Sequence, residues 1–406
     1  MGRAGVVERD VAVVLSGGAV NGVLMELGFL QRLRESALWP RVGWIYGTSA
    51  GALSGTMAAL DRLDELERFM LALQPEETFR PHSLWRLPLL GSHDYRLPDT
   101  VAARIGDVVE LARELAHSPI EMTVIATDVS DDEHGPRVAA GDPVPRPGVG
   151  GSAADAPSRA QHAYELVYSS RTTPPETLAQ SILASAAISA LVLPRRVGDR
   201  IATDGAWVRN FPLAHAYAQP GVELIVSFRY LPRYPRMGTE GLQRLRRRLE
   251  RFPKIPPIRA LIGELRDAEE RGARGEPAHW PDMIVRLMRV AIQQNTVLEE
   301  RVARDKDEAL RALEALRQEV DAIIRSEGGR RGPRVARAVD ERFASARFPF
   351  LGDRAIPRIA VQSTAGEVSL ETGLRNPAPW TEEAKRALIR RGYELLDELL
   401  VEEAVA

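Results

Sequence analysis

The sequence predicts an α/β fold in which a central, mostly parallel sheet is interrupted by a helical insertion. Three observations predict it. The first seventy residues alternate short β-branched runs with helical spacing, joined by glycine-rich turns. Continuous apolar runs return at Met122–Thr127, Val222–Phe228 and Pro357–Gln362, which is how strands buried on both faces read. Between residues 230 and 350 this alternation stops, and proline-punctuated, arginine-rich helical sequence replaces it.

The elements follow in order. Val11–Leu15 is β-branched, continuous and stopped by glycines, so it reads as a short buried strand. Ser16 to Gly22 is a tight loop, after which Val23, Leu27, Leu30 and Leu33 recur at helical spacing as far as Leu38. Val42–Tyr46 is a second strand, Gly47–Gly51 a turn and Ala52–Phe69 a helix. A β-loop-α-β-turn-α order starts a parallel sheet. Gly141–Arg159 is rich in Gly, Pro, Ala and Ser, the composition of a flexible loop. His162–Ser169 reads as strand, and Pro175–Ala187 as a helix with proline early, where a helix tolerates it. Val197 and Ile201 flank Gly198-Asp199, a hairpin signal that carries the chain to Asp204. Pro281–Arg325 reads as one long helix, with Leu310, Leu313, Leu316, Val320 and Ile323 on one face. Glu327–Pro333 is a Gly/Arg linker, and Thr381–Leu400 an amphipathic final helix. This predicts one α/β domain, residues 1–230 and 350–406, with a helical insertion or lid over 231–349 and a flexible loop over 141–159.

Composition narrows the chemistry. The 406 residues are 44% hydrophobic, enough for a sizeable core, and carry 54 basic against 56 acidic residues. That balance argues neither for nor against a polyanionic or membrane partner, so only local clusters inform, and no nucleic-acid partner is expected. With no cysteine, disulfides, iron–sulfur clusters, cysteine–zinc sites and a thiol nucleophile are excluded. The histidines show no H-x-x-H or H-E-x-x-H spacing, so neither a metal site nor a cofactor is expected. The charged first ten residues and the short Val11–Leu15 run do not make a signal peptide. No run approaches the roughly 20 apolar residues that span a bilayer. The expectation is a soluble cytoplasmic protein whose membrane contact is peripheral.

Three blocks carry chemistry. Gly47-Thr48-Ser49-Ala50-Gly51 matches G-x-S-x-G, in which a serine between strand and helix sits on a strained turn with small neighbours. The helix that follows favours negative charge at its N-terminus. Taken alone, the pentapeptide is equally an ordinary β–α turn. Ser16-Gly17-Gly18-Ala19 ends the first strand, next to Ser49 if the two strands are adjacent and parallel. Successive small residues can aim N–H groups into one concavity, as an oxyanion hole requires. A P-loop would need Gly-Lys-Ser/Thr where Gly22-Val23-Leu24 stands, and a dinucleotide fingerprint would need glycine at Ala19. The third block, Asp204-Gly205-Ala206, is by itself only a turn signal.

In this order the three blocks resemble the patatin-like phospholipase family, with its glycine-rich oxyanion loop, its G-x-S-x-G serine and its distant Asp-Gly-Gly/Ala aspartate. Ser181–Pro194 is similar to the family's alanine/serine-rich helix, Asn210-Phe211-Pro212 to its Asn-x-Pro, and Val124–Asp128 to its central strand. The likeness covers about residues 10–230 and, loosely, the last strand and helix. It implies a patatin-like three-layer sandwich and a Ser49–Asp204 dyad without histidine. It also implies oxyanion donors from Gly17, Gly18 and Ala19, and motif support from Gly47, Gly51, Gly205 and Asn21. The implied activity is hydrolysis of phospholipid or other acyl esters, of the phospholipase A or lysophospholipase type, through an acyl-serine. Ala19 stands where the family usually has a third glycine, and Asn21 where it has Arg or Lys. Ser189–Val192 lacks the proline and aromatic residues often found before the aspartate.

Other readings stay open on the letters. The order Ser49, Asp204, His215 formally fits an α/β-hydrolase triad, although Ser49 follows only the second strand. A non-catalytic lipid-binding or scaffold protein and an esterase for soluble acyl esters are the other two. Arg229–Arg259 holds ten basic and two acidic residues, with Leu242, Leu245, Leu249 and Phe252 at helical spacing. That is either an interfacial helix for an anionic membrane or a solvated helix packed on the core. The long helix reads as lid, packing or dimer surface rather than active site.

Overall fold

The computed structural model describes residues 9–81, 93–130, 164–188, 192–231, 240–252, 255–276, 280–345, 355–364, 370 and 380–405. The Gly141–Arg159 loop and Ser189-Ala190-Leu191 lie outside the described residues. The chain opens with β1 (Val11–Leu15), α1 (Ala19–Arg34), β2 (Val42–Thr48), α2 (Ala50–Ala59), α3 (Leu63–Ala72) and α4 (Pro75–Thr78). An antiparallel pair follows, β3 (Phe79–Pro81) and β4 (His93–Tyr95), then α5 (Leu97–Arg104), α6 (Val108–His117) and β5 (Glu121–Asp128). Next come β6 (Glu165–Ser169), α7 (Pro175–Ser185), β7 (Arg195–Val197), β8 (Arg200–Asp204), α8 (Ala206–Arg209), α9 (Leu213–Ala218) and β9 (Leu224–Tyr230). The rest is α10 (Glu240–Leu249), α11 (Pro256–Ala273), α12 (Trp280–Glu327), α13 (Gly332–Ser345), β10 (Arg358–Ser363) and α14 (Glu382–Val405).

The main sheet runs β10-β9-β1-β2-β5-β8-β7, with β6 also paired to β5. From β10 to β5 all neighbours are parallel, whereas β6 and β8 meet β5 antiparallel. Side chains alternate along β1 as the pleat requires. Val11, Val13 and Leu15 point into a large core with α1, α2, α3, α7 and α14. Ala12 and Val14 face the other way, against Tyr46, Phe211, Leu213, Tyr217 and Ala303 of α12. Helices thus cover both faces, and the result is a three-layer α/β fold. The final helix crosses α1 with backbone almost touching backbone. A Cβ on Gly28 would lie 1.8 Å from the Ile389 carbonyl oxygen, and one on Gly392 equally close to that of Met25.

Boundaries differ from the sequence expectation where the backbone turns left-handed. The first helix starts at Ala19, not Val23, because Ala19 (φ 46°) swings the glycine loop directly into it. The expected Ala52–Phe69 helix is two helices, broken at Asp61 (φ 56°), a residue type that tolerates this region. The break lets α3 bury Leu63, Leu66, Phe69 and Met70. The expected linker at Glu327–Pro333 is a 3₁₀ corner, Gly329–Arg331, between α12 and α13. No helix among the described residues is long and apolar enough to cross a membrane.

Candidate active site

Strand β5 brings two distant chain segments tip to tip. Its residues 123–125 pair with both β2 and β6, so those two strands occupy opposite edges. Thr127 pairs with β6 and β8, so β8 lies on the β2 edge. There, Ile125 faces Thr48 at the end of β2 and Ala126 faces Asp204 at the end of β8. Consecutive registers therefore place residues 155 positions apart side by side.

Ser49 follows β2 at φ 54°, ψ −113°, and α2 begins at the next residue. A non-glycine residue held there costs about 1–3 kcal/mol, which the surroundings must impose. They do so through glycines that admit no side chain. A Cβ on Gly47 would lie 2.2 Å from the Gly51 carbonyl oxygen, and one on Gly51 2.6 Å from that of Leu15. The Ser49 N–H donates to Ser185 Oγ (2.9 Å), which donates to the Ile125 carbonyl (2.6 Å). Thr48 Oγ1 donates to the Arg209 carbonyl (2.9 Å).

The Ser49 hydroxyl donates to Asp204 Oδ2 at 2.8 Å, and both residues are only 5% exposed. Asp204 Oδ1 accepts the Ala206 N–H at 2.8 Å, and the Asp204 carbonyl accepts Thr127 Oγ1 at 2.8 Å. Burial pushes the Asp204 carboxyl up to about 6, against the pull of the Ala206 N–H and the Ser49 hydroxyl. Gly205 is squeezed as well, since a Cβ there would lie 2.3 Å from the Ile125 carbonyl oxygen.

The loop after β1 lies against Ser49, with the Cβ position of Gly17 3.1 Å from Ser49 Cβ. Gly18 is pressed on the Tyr230 ring, where a Cβ would come within 2.6 Å of Cδ1. The expected donor Gly17 is engaged elsewhere, giving its N–H to the Asn210 carbonyl at 3.0 Å. Gly18 is the N-cap of α1 and Ala19 its first residue, the end of a helix where N–H groups have no intrahelical acceptor.

A model of the patatin-like phospholipase family matches residues 13–217, about half of the chain, and spans all three blocks. The chain belongs to the patatin-like phospholipase family. No curated protein matches the sequence. Among solved structures, VipD from Legionella pneumophila aligns over 97% of this chain and 67% of its own, at 11% identity and a TM-score of 0.37.

Within this patatin-like domain the remaining expected residues have clear places. Asn21 is fully buried, donating to the Tyr230 hydroxyl (3.1 Å) and accepting the Leu370 N–H (3.0 Å). It is a bridge inside the core, not a group that meets solvent. His215 pairs through Nε2 with Glu165 Oε1 (2.8 Å) and stacks on Tyr46. The Ser49 hydroxyl turns to Asp204, so the alternative triad has no geometry here. Several residues at the site carried little signal in the sequence. Ser185 was visible only as part of an alanine/serine-rich helix. Asn295 and Thr296, on α12, reach the turn after Asp204 and had none. No cluster of three or more potential metal ligands occurs among the described residues.

Proposed function

We propose that this chain is a lipid acyl hydrolase of the phospholipase A or lysophospholipase type, acting through Ser49 and Asp204. The observation that carries the reading is the 2.8 Å hydrogen bond from the Ser49 hydroxyl to Asp204, made on a left-handed turn. A carboxyl near 6 is a better base than an ordinary aspartate and is still ionised at neutral pH. Asp204 takes the Ser49 proton as Oγ attacks the ester carbonyl. The N–H groups of Gly18 and Ala19 receive the oxyanion, each donor contributing roughly 3–4 kcal/mol. Asp204 then hands the proton to the departing alcohol, leaving an acyl-Ser49. Water attacks the acyl group and gives Asp204 a proton, which returns to Ser49 Oγ as the fatty acid leaves.

Buried Asn21 supplies no charge to a head group, so weak head-group selection is expected. Contact with the membrane would be peripheral, from a cytoplasmic protein. On α10 and just beyond it, Arg247, Arg248, Arg251, Leu245 and Phe252 are exposed, whereas Arg246 is taken by Glu250 and Glu269. Binding to anionic vesicles should weaken between 0.1 and 1 M salt, as the Debye length falls from about 10 to 3 Å. Co-sedimentation that ignores salt would remove this contact. The dyad itself is tested by fluorophosphonate labelling. Wild type should label and Ser49→Ala should not, and turnover of short p-nitrophenyl esters should fall on the order of a thousandfold or more. Equal labelling of the variant would end the reading.

A further inference from the structure

Helix α12 grips the turn that follows Asp204. Asn295 Nδ2 donates to the carbonyls of Ala206 (2.7 Å) and Trp207 (3.2 Å), and its Oδ1 accepts the Asn210 N–H (3.1 Å). Thr296 Oγ1 accepts from Asn210 Nδ2 (2.9 Å) while donating to the Ile292 carbonyl (2.7 Å). One turn on, Glu299 pairs with Arg209 and accepts the Ala214 N–H (3.3 Å).

The gripped segment, residues 206–210, touches all three motif loops. Ala206 gives its N–H to Asp204 Oδ1. The Arg209 carbonyl accepts the hydroxyl of Thr48, the residue before Ser49. The Asn210 carbonyl accepts the Gly17 N–H, and its Oδ1 lies 2.4 Å from where a Gly17 Cβ would be. Asn295 and Thr296 form no hydrogen bond with Ser49 or Asp204. Apolar packing alone is non-directional and could hold the helix without orienting these peptides. One asparagine amide that spends its donors and its acceptor on three backbone groups fixes their direction.

We propose that α12 is a positioning element of the dyad, with Asn295 and Thr296 fixing residues 206–210 so that Asp204 and the glycine loop stay aligned on Ser49. This rests on the dyad reading above. Misplacement by about 1 Å from a remote change can cost on the order of a hundredfold in rate. Asn295→Ala should therefore lower kcat for p-nitrophenyl butyrate and the fluorophosphonate labelling rate by roughly that factor, with KM little changed. Its acid limb should also move up in pH, since a loosened Ala206 N–H no longer favours the Asp204 carboxylate. Tyr95 of β4, whose ring lies under Arg195, also feels the Asp204 charge. Neither is altered by the variant.

Thr296→Ser keeps the hydroxyl and should retain activity, while Thr296→Val should lose it in part. That pair decides the matter if Asn295→Ala does not fold. Melting temperature is followed for each variant. Wild-type kcat and an unmoved acid limb in folded Asn295→Ala, or equal activity in Thr296→Val and Thr296→Ser, would overturn the proposal while leaving the dyad intact. Labelling that persists in Ser49→Ala would instead overturn the dyad, and this proposal with it.

Discussion

Two buried carboxylates lie one register apart along β5, and their surroundings drive them in opposite directions. Asp204 faces Ala126 and Glu165 faces Thr127 from the other edge. Asp204 receives only a hydroxyl and a backbone N–H, so burial dominates and its carboxyl rises to about 6. Burial would raise Glu165 too, but His215 and the Arg209 guanidinium (2.6 and 3.2 Å) hold it down at about 2. Depth in the protein is common to both, and counter-charge separates them. The nearby buried guanidinium is spent on a structural pair, and the Asp204 carboxylate is left without one. That is the arrangement a proton acceptor needs near neutral pH.

Exchanging each acid for its amide is the sharpest way to break the comparison. Asp204→Asn should cost turnover on the order of a thousandfold, because a dyad fails as a unit. Glu165→Gln, assayed at a temperature where it is folded, should keep the activity and acid limb of wild type. Its loss should appear in stability instead. Removing one partner of a buried pair typically costs about 3–5 kcal/mol, and the low end is expected because Glu299 still faces Arg209. The sign with pH follows from the depressed carboxyl. Its stabilisation is present above pH 4.5 and is lost as pH falls towards 2, so the gap between wild type and Glu165→Gln should narrow over that range. Denaturant melts at pH 7 and pH 3 measure this. A variant as inactive as Asp204→Asn while still folded would erase the distinction.

The contrast also tracks what was legible in the sequence. Ser49 and Asp204, which the fold brings into hydrogen bond, stood out in the letters because each sits in a local pattern, strand–turn–helix for one and hairpin–Asp-Gly for the other. The glycines announced themselves for the same reason, since Gly47, Gly51 and Gly205 have no room for a Cβ. Glu165, Arg209 and His215 could not be paired from letters, because ion pairs between β6 and the α8–α9 segment have no sequence period. The same holds for Asn295 and Thr296, polar residues on a long helix that reads as lid or surface. The Gly17 N–H was expected in the oxyanion hole, but tertiary structure brings the Asn210 carbonyl to it. Asp61 has no breaker beside it, so the split of α2 from α3 was equally hidden.

The smaller consequence of the comparison concerns the stability of Asp204 itself. A carboxyl that titrates near 6 in the folded chain, against 3.8 ordinarily, favours the protonated form on folding. Its contribution is fully present below about pH 3.8 and is lost as pH rises through 6, the reverse of Glu165. At pH 7 the ionised group therefore costs on the order of 3 kcal/mol. An asparagine avoids that cost, and its Oδ1 can still accept the Ala206 N–H while its amide can donate to the Ser49 hydroxyl. Asp204→Asn should thus melt higher than wild type at pH 7 and no higher at pH 4, while being inactive at both. Thermal melts across pH 4–7 would show the gap opening between 4 and 6. A gap that is absent, or that closes as pH rises, would mean that Asp204 has a counter-charge like that of Glu165, and the dyad would lose its base.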